Sequence, residues 1–176
     1  MRKFLPILTL AFASLFIYSC DNNTDDEVQY VDNDTYSGVV EITRSFQYNS
    51  GANKHFINQQ IGQYGMQDSD VALVYRLKSV YQGNDVWEQI PKTIYEVTTG
   101  REVDYDFDFT KNDVQIYVSG NFDVTTAPNY YSNQTFRIVL VPAGFLKSAN
   151  SPVDHSDYNA VIKYYNIDDS KVVKIN

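Results

Sequence analysis

Between residues 70 and 141 apolar and polar side chains alternate with a period of two, and that pattern decides the architecture. In 102–109, Val103, Tyr105, Phe107 and Phe109 stand opposite Glu102, Asp104, Asp106 and Asp108. Residues 113–118 set Val114, Ile116 and Val118 against Gln115 and Tyr117, and 70–77 gather Val71, Leu73, Tyr75 and Leu77 on one face. Successive side chains of a strand point to opposite sides, so this alternation predicts strands with one buried face. Residues 135–141 are apolar on both faces apart from Arg137, the pattern of a central strand covered on both sides. Weaker strand signals lie at 38–46 and 86–98. The second contains Pro91, which has no N–H for a ladder and so marks an edge or a bulge.

Turn chemistry separates these runs at Asn49-Ser50-Gly51, Gly83-Asn84-Asp85, Thr99-Gly100, Lys111-Asn112-Asp113 and Ser119-Gly120-Asn121. Strands joined by short turns, with no helix between them, favour antiparallel pairing over a parallel sheet. The expected fold is therefore mainly β: an antiparallel β-sandwich of about six or seven strands, with a small open barrel as the alternative. One helix is expected near the C-terminus. Ser156 or Asp157 supplies its cap, and Tyr158, Val161, Ile162 and Tyr165 recur at helical spacing to form one apolar stripe. Residues 171–175 suggest a last short strand, and no internal repeat is visible.

The N-terminus has a different pattern. Arg2 and Lys3 precede an unbroken run without charge from Phe4 to Tyr18, followed by Ser19 and the single cysteine, Cys20. Fifteen residues are too few for a permanent bilayer span and match an export signal. The stretch Ile17-Tyr18-Ser19-Cys20, an aliphatic residue three positions before the Cys and a small one next to it, resembles the lipobox of bacterial lipoproteins, with Tyr18 bulkier than usual. The resemblance implies cleavage before Cys20, a diacylglycerol on its thiol and an acyl group on the new N-terminus. More than one chain is what holds a protein stably on a membrane. One cysteine forms no intrachain disulfide, so the exported domain depends on its core alone.

Three segments are thus expected: a signal at 1–19, the lipidated Cys with an acidic tether at 20–35, and a single domain at 36–176. Residues 21–35 carry six acids and no base, too polar to offset the entropy of ordering. As a coil they reach about 20 Å. Asp25-Asp26-Glu27 is similar to the acidic tracts that some Gram-negative lineages read, just after the lipidated Cys, as an address for the outer surface. Both that side and the periplasmic side of the outer membrane stay open. Without residues 1–19 the chain has 12 basic and 22 acidic side chains, a formal charge of −10. That sign and the lack of a basic patch argue against a nucleic-acid partner. They also argue against charge-driven binding to anionic lipid, which leaves the N-terminal lipid as the expected link to the membrane.

The stretches "DVALVYRL…DVWEQIP", "YDFDFTKNDVQIYVSGNFD", "NQTFRIVLVPAGF" and "DYNAVIKYYNI" together resemble a family of uncharacterised bacterial lipoproteins with a C-terminal β-rich domain. Many members carry a collagen-like segment after the lipidated Cys, which this chain lacks, so triple-helix trimerisation is not implied. Some relatives bear the name dihydrolipoamide dehydrogenase. With one Cys and no G-x-G-x-x-G, this chain lacks the cysteine pair and nucleotide loop that such a flavoenzyme uses. The resemblance brings no catalytic residue and no cofactor.

Candidate chemistry is sparse. Residues 154–157, Asp-His-Ser-Asp, contain the residue types of a nucleophilic triad, but consecutive side chains entering a helix diverge, and Ser156 and Asp157 are better read as caps. His55 has no evident partner, and two histidines make a zinc site improbable. Asp104, Asp106 and Asp108 share a strand face at roughly 6.5–7 Å spacing. Calcium would need further oxygens, which Asp68, Asp70, Asp85 or Asp113 would have to supply by converging. The competing reading is a solvated, charged sheet face. A carboxylate pair for glycoside hydrolysis carries little weight among 22 acids without a pocket. Tyr130 and Tyr131 follow Pro128 between two strands, where loop tyrosines stack on sugars or anchor a protein partner. The sequence points first to a non-catalytic, lipid-anchored binding or structural module with an envelope protein or a glycan as partner. A carbohydrate- or calcium-assisted module is the alternative, and a hydrolase ranks third.

Overall fold

The computed structural model describes residues 38–51, 54–144 and 153–175. The expectations for the signal, for Cys20 and for the acidic tether lie outside the described residues. The strands are β1 (Gly38–Arg44), β2 (Gln47–Asn49), β3 (Lys54–Gln60), β4 (Val71–Tyr81), β5 (Asn84–Ile90), β6 (Lys92–Glu96), β7 (Arg101–Phe109), β8 (Asp113–Gly120), β9 (Gln134–Val141) and β10 (Val173–Ile175). Helix α1 (Pro128–Tyr131) lies between β8 and β9, and α2 (Tyr158–Tyr164) follows β9. The strands form two five-stranded sheets, ordered β10-β1-β9-β4-β5 and β2-β3-β8-β7-β6. The architecture is the expected β-sandwich, with ten strands where the alternation suggests six or seven.

Pro91 accounts for part of the difference. Residues 86–98 form not one interrupted strand but two: β5 ends at Ile90 in the first sheet, and β6 begins at Lys92 in the second. A residue without an N–H sits where the chain leaves one ladder for the other. The short edge strand β2 and the polar β3 supply the rest, while β10 falls within the short strand expected at 171–175. Among the described residues every pairing is antiparallel except β1 with β10, which run parallel with Val40 opposite Val173. The β4–β5 hairpin turns at Gln82 and Gly83, both with positive φ (50° and 82°). That is the turn geometry whose twist suits a two-residue hairpin.

The central strand β9 is covered on both faces, as its composition requires. Phe136, Ile138 and Leu140 point between the sheets, where they meet Ile42, Val74, Val103, Tyr105 and Ile116. Val139 and Val141 point the other way, onto a second apolar layer formed with Val39, Tyr75, Tyr158, Val161 and Tyr165. Helix α2 therefore packs its stripe on the outer face of the first sheet. Asp157 caps it, its carboxylate accepting from the Ala160 N–H at 3.1 Å. The same division runs through β4. Ala72 and Val74 enter the sandwich, whereas Val71, Leu73 and Tyr75 lie under α2.

Candidate functional site

The two ends of the sandwich differ. At the end where β1 finishes and β9 starts, α1 lies across the opening between the sheets. The Tyr131 carbonyl accepts from the Phe46 N–H at 3.0 Å. The Tyr131 ring packs on Phe46 and, edge-on at 5.2 Å, on His55, which also meets Tyr48 at 5.1 Å. His55, without an evident partner in the sequence, is held here between two tyrosine rings. Tyr131 serves as a plug, half-buried rather than displayed.

Tyr130 turns toward the other side of this end. Its hydroxyl donates to Glu96 at 2.5 Å, and its carbonyl accepts from the Tyr105 hydroxyl at 2.7 Å. The hydrogen bond to Glu96 pushes the Tyr130 phenol up and holds the Glu96 carboxyl below the usual range. Beside it, on the interior face of β4, Arg76 is 7% exposed. Its Nε donates to Gln134 at 3.1 Å, its Nη1 pairs with Glu88 at 2.9 Å, and its guanidinium lies 4.7 Å from the centre of the Tyr105 ring. Gln134 is fixed in turn, donating to the carbonyls of Asn129 and Ser132. Burial pushes the Tyr105 phenol up to about 12, against the lowering effect of Arg76.

This network floors a cleft of about 500 Å³ between β4–β5, β6 and α1, with Lys78, Lys92, Tyr95 and Tyr130 along its sides. The strands β5 and β6 are both sheet edges, so each keeps one row of backbone groups outside a ladder. Six of the eight exposed large apolar side chains among the described residues gather at the same end, Phe109 and Val173 being the exceptions. Val80, Tyr81 and Val86 lie on the β4–β5 hairpin, Tyr95 and Val97 at the β6–β7 turn, and Tyr48 on β2.

The acidic face of β7 is arranged differently. Asp104 accepts from the Thr93 hydroxyl at 2.6 Å, Asp108 from the Tyr117 hydroxyl at 2.7 Å, and Asp106 from the Phe107 N–H at 2.8 Å. Burial first, and then the bond to Asp108, push the Tyr117 phenol up to about 12. The loop acids do not join them. Asp68 pairs with Lys111, Asp70 accepts from the N–H groups of Gln67 and Ala143, and Asp85 faces Arg137 within the first sheet, away from β7. Asp113 accepts from Thr110 and Asn58. Among the described residues no group of three or more His, Cys, Asp or Glu is placed to hold a metal ion. In 154–157, Asp154 accepts from the N–H and hydroxyl of Ser156, while His155 Nε2 lies 3.0 Å from the Tyr165 hydroxyl.

Of the described side chains singled out from sequence, Tyr130 alone lines the cleft; Asp104 accepts from the lining Thr93, and Tyr131, Asp106 and Asp108 lie elsewhere. Arg76, Glu88, Lys78 and Lys92 were not marked by any motif. No protein-family model, curated protein or solved structure matches this chain.

Proposed function

We propose that this protein is a lipid-anchored module of the Gram-negative outer membrane that binds, rather than transforms, a partner at the α1 end of its sandwich. Cys20 carries the lipid, and the acidic segment after it spaces the domain from the headgroups. The observation that carries the binding reading is the convergence at one end of a walled cleft, a buried arginine held by Glu88 and Gln134, and exposed aromatic and aliphatic side chains from two hairpins. Binding sites combine a preformed concavity with a few fixed polar groups and aromatic anchors. The path of β1 supports the same reading. The described chain enters at Gly38, opposite Leu140, and β1 runs about 20 Å to Arg44, opposite Gln134 beside α1. A tether attached at the Gly38 end leaves the cleft on the side away from the attachment.

Site-directed photo-crosslinking in intact cells tests this reading. A photoreactive residue replaces Tyr95 at the cleft, or Phe109, which is exposed at the opposite end. Adducts are expected from position 95 and not from 109. Equal yield from both positions, or adducts from 109 alone or from neither, would overturn it.

A further inference from the structure

Cationic side chains outnumber anionic ones in the lining of the cleft, in contrast to the chain as a whole, and the two nearby acids Glu96 and Asp104 are engaged by the Tyr130 and Thr93 hydroxyls. Three of its lining side chains are cationic, Arg76, Lys78 and Lys92, and one is anionic, Glu88. Glu88 is already committed to Arg76 at 2.9 Å. Among the described residues neither Lys78 nor Lys92 has an ion-pair partner. Two lysines without an ion-pair partner thus line one concavity in a chain whose formal charge is −8. They come from different sheets: Lys78 sits at the irregularity in β4 between Leu77 and Ser79, and Lys92 follows the Pro91 crossover. Nothing in local sequence requires them to meet; the crossover brings them together.

The other lining groups narrow the ligand. Tyr95 is 59% exposed, Asn129 adds an amide, and the Thr93 and Tyr130 hydroxyls, which donate to Asp104 and Glu96, offer their oxygens as acceptors. Aromatic rings offer apolar faces to sugar C–H groups, and amide, hydroxyl and free strand-edge groups match sugar hydroxyls. A volume of about 500 Å³ suits a small ligand. Resting on the reading of this cleft as the binding site, we infer that it takes an acidic saccharide, a uronic-acid unit whose carboxylate lies between Lys78 and Lys92. Charge-assisted hydrogen bonds from the lysines hold the carboxylate, and the Arg76–Glu88–Gln134 floor keeps the cleft in shape.

Calorimetric titration of the full chain in detergent micelles tests the inference, with glucuronate, glucose and succinate as probes. Glucuronate is expected to bind at least tenfold more tightly than either glucose or succinate, and to weaken as salt is raised. The double variant Lys78→Ala/Lys92→Ala, both positions exposed, should lose about tenfold in affinity with its circular dichroism unchanged. Lys163→Ala, an exposed lysine on α2, should bind as the parent does. Equal affinity for glucose and glucuronate would overturn the role of the carboxylate, and equal affinity for succinate would overturn the saccharide. Absence of all binding would overturn the inference as a whole. A crosslink at Tyr95 to some other partner would still stand, so this failure is distinguishable from failure of the binding reading itself.

Discussion

Arg76 is a cation inside a sandwich, and its surroundings explain why it is tolerated there. Burying a charge is costly unless it is paired and hydrogen-bonded. Here Glu88 neutralises it, Gln134 accepts from it, and the Tyr105 ring lies against it. Removing one partner strands the other. Arg76→Met should therefore cost about 3 kcal/mol in urea unfolding, in line with the 3–5 kcal/mol typical of a broken buried pair. The double variant Arg76→Met/Glu88→Leu should recover most of that loss, because an apolar pair of similar volume replaces an ionic one at little net cost. A double variant no more stable than the single would show that the pair does not act as a unit. None of this was legible in the sequence. Arg76 occurs there as one polar position in an alternating run, and Glu88 and Gln134 lie 12 and 58 residues away. The pair is defined by strand register, which local pattern does not report.

At the scale of elements, legibility followed the contrast between the two faces of each strand. The faces of β7 and β8 were read correctly because Val103 and Tyr105 stand against acids, and Val114, Ile116 and Val118 against polar residues. Strand β3 escaped because its inward positions are His55, Ile57 and Gln59, of which only one is apolar. Its strand conformation comes from pairing with β8 rather than from its own pattern, an instance of tertiary context overriding propensity. Helix α1 is a single turn, too short to show periodicity. Gly120 was read as a turn signal, but it ends β8 opposite Val103, and the close approach of β7 explains the residue type. A Cβ there would come within 2.6 Å of the Glu102 carbonyl oxygen and 3.2 Å of Val124. Gly120→Ala should consequently destabilise the fold by about 1–3 kcal/mol, the usual range for forced overpacking, measured as a lower midpoint in urea. An unchanged midpoint would mean that the β7–β8 pair yields freely at this point.

At the scale of the whole molecule, charge and attachment dominate. Several carboxyls sit below their ordinary range. Hydrogen bonds with Lys171 and then Ser170 bring Asp168 to about 2. Burial alone would raise Glu41, but Lys174 and Arg137 outweigh it and hold it low. Such groups bind fewer protons folded than unfolded, so their contribution is complete above the unfolded carboxylate range and is lost as pH falls through the folded value. The thermal midpoint should thus be level near neutrality and fall from about pH 4.5 toward about pH 2, most steeply at low salt. A midpoint rising over that interval would contradict the assignment. The sandwich holds together without a disulfide because two apolar layers, one between the sheets and one under α2, share the central strand β9. Such a self-sufficient domain can be displayed on a tether, and the reading of the whole molecule depends on what the tether is fixed to. Membrane partition of Cys20→Ser tests this most directly. The parent protein is expected in the membrane fraction with the added mass of its acyl chains, and the variant in the soluble fraction without them. A Cys20→Ser protein that still pellets with membranes would contradict the account.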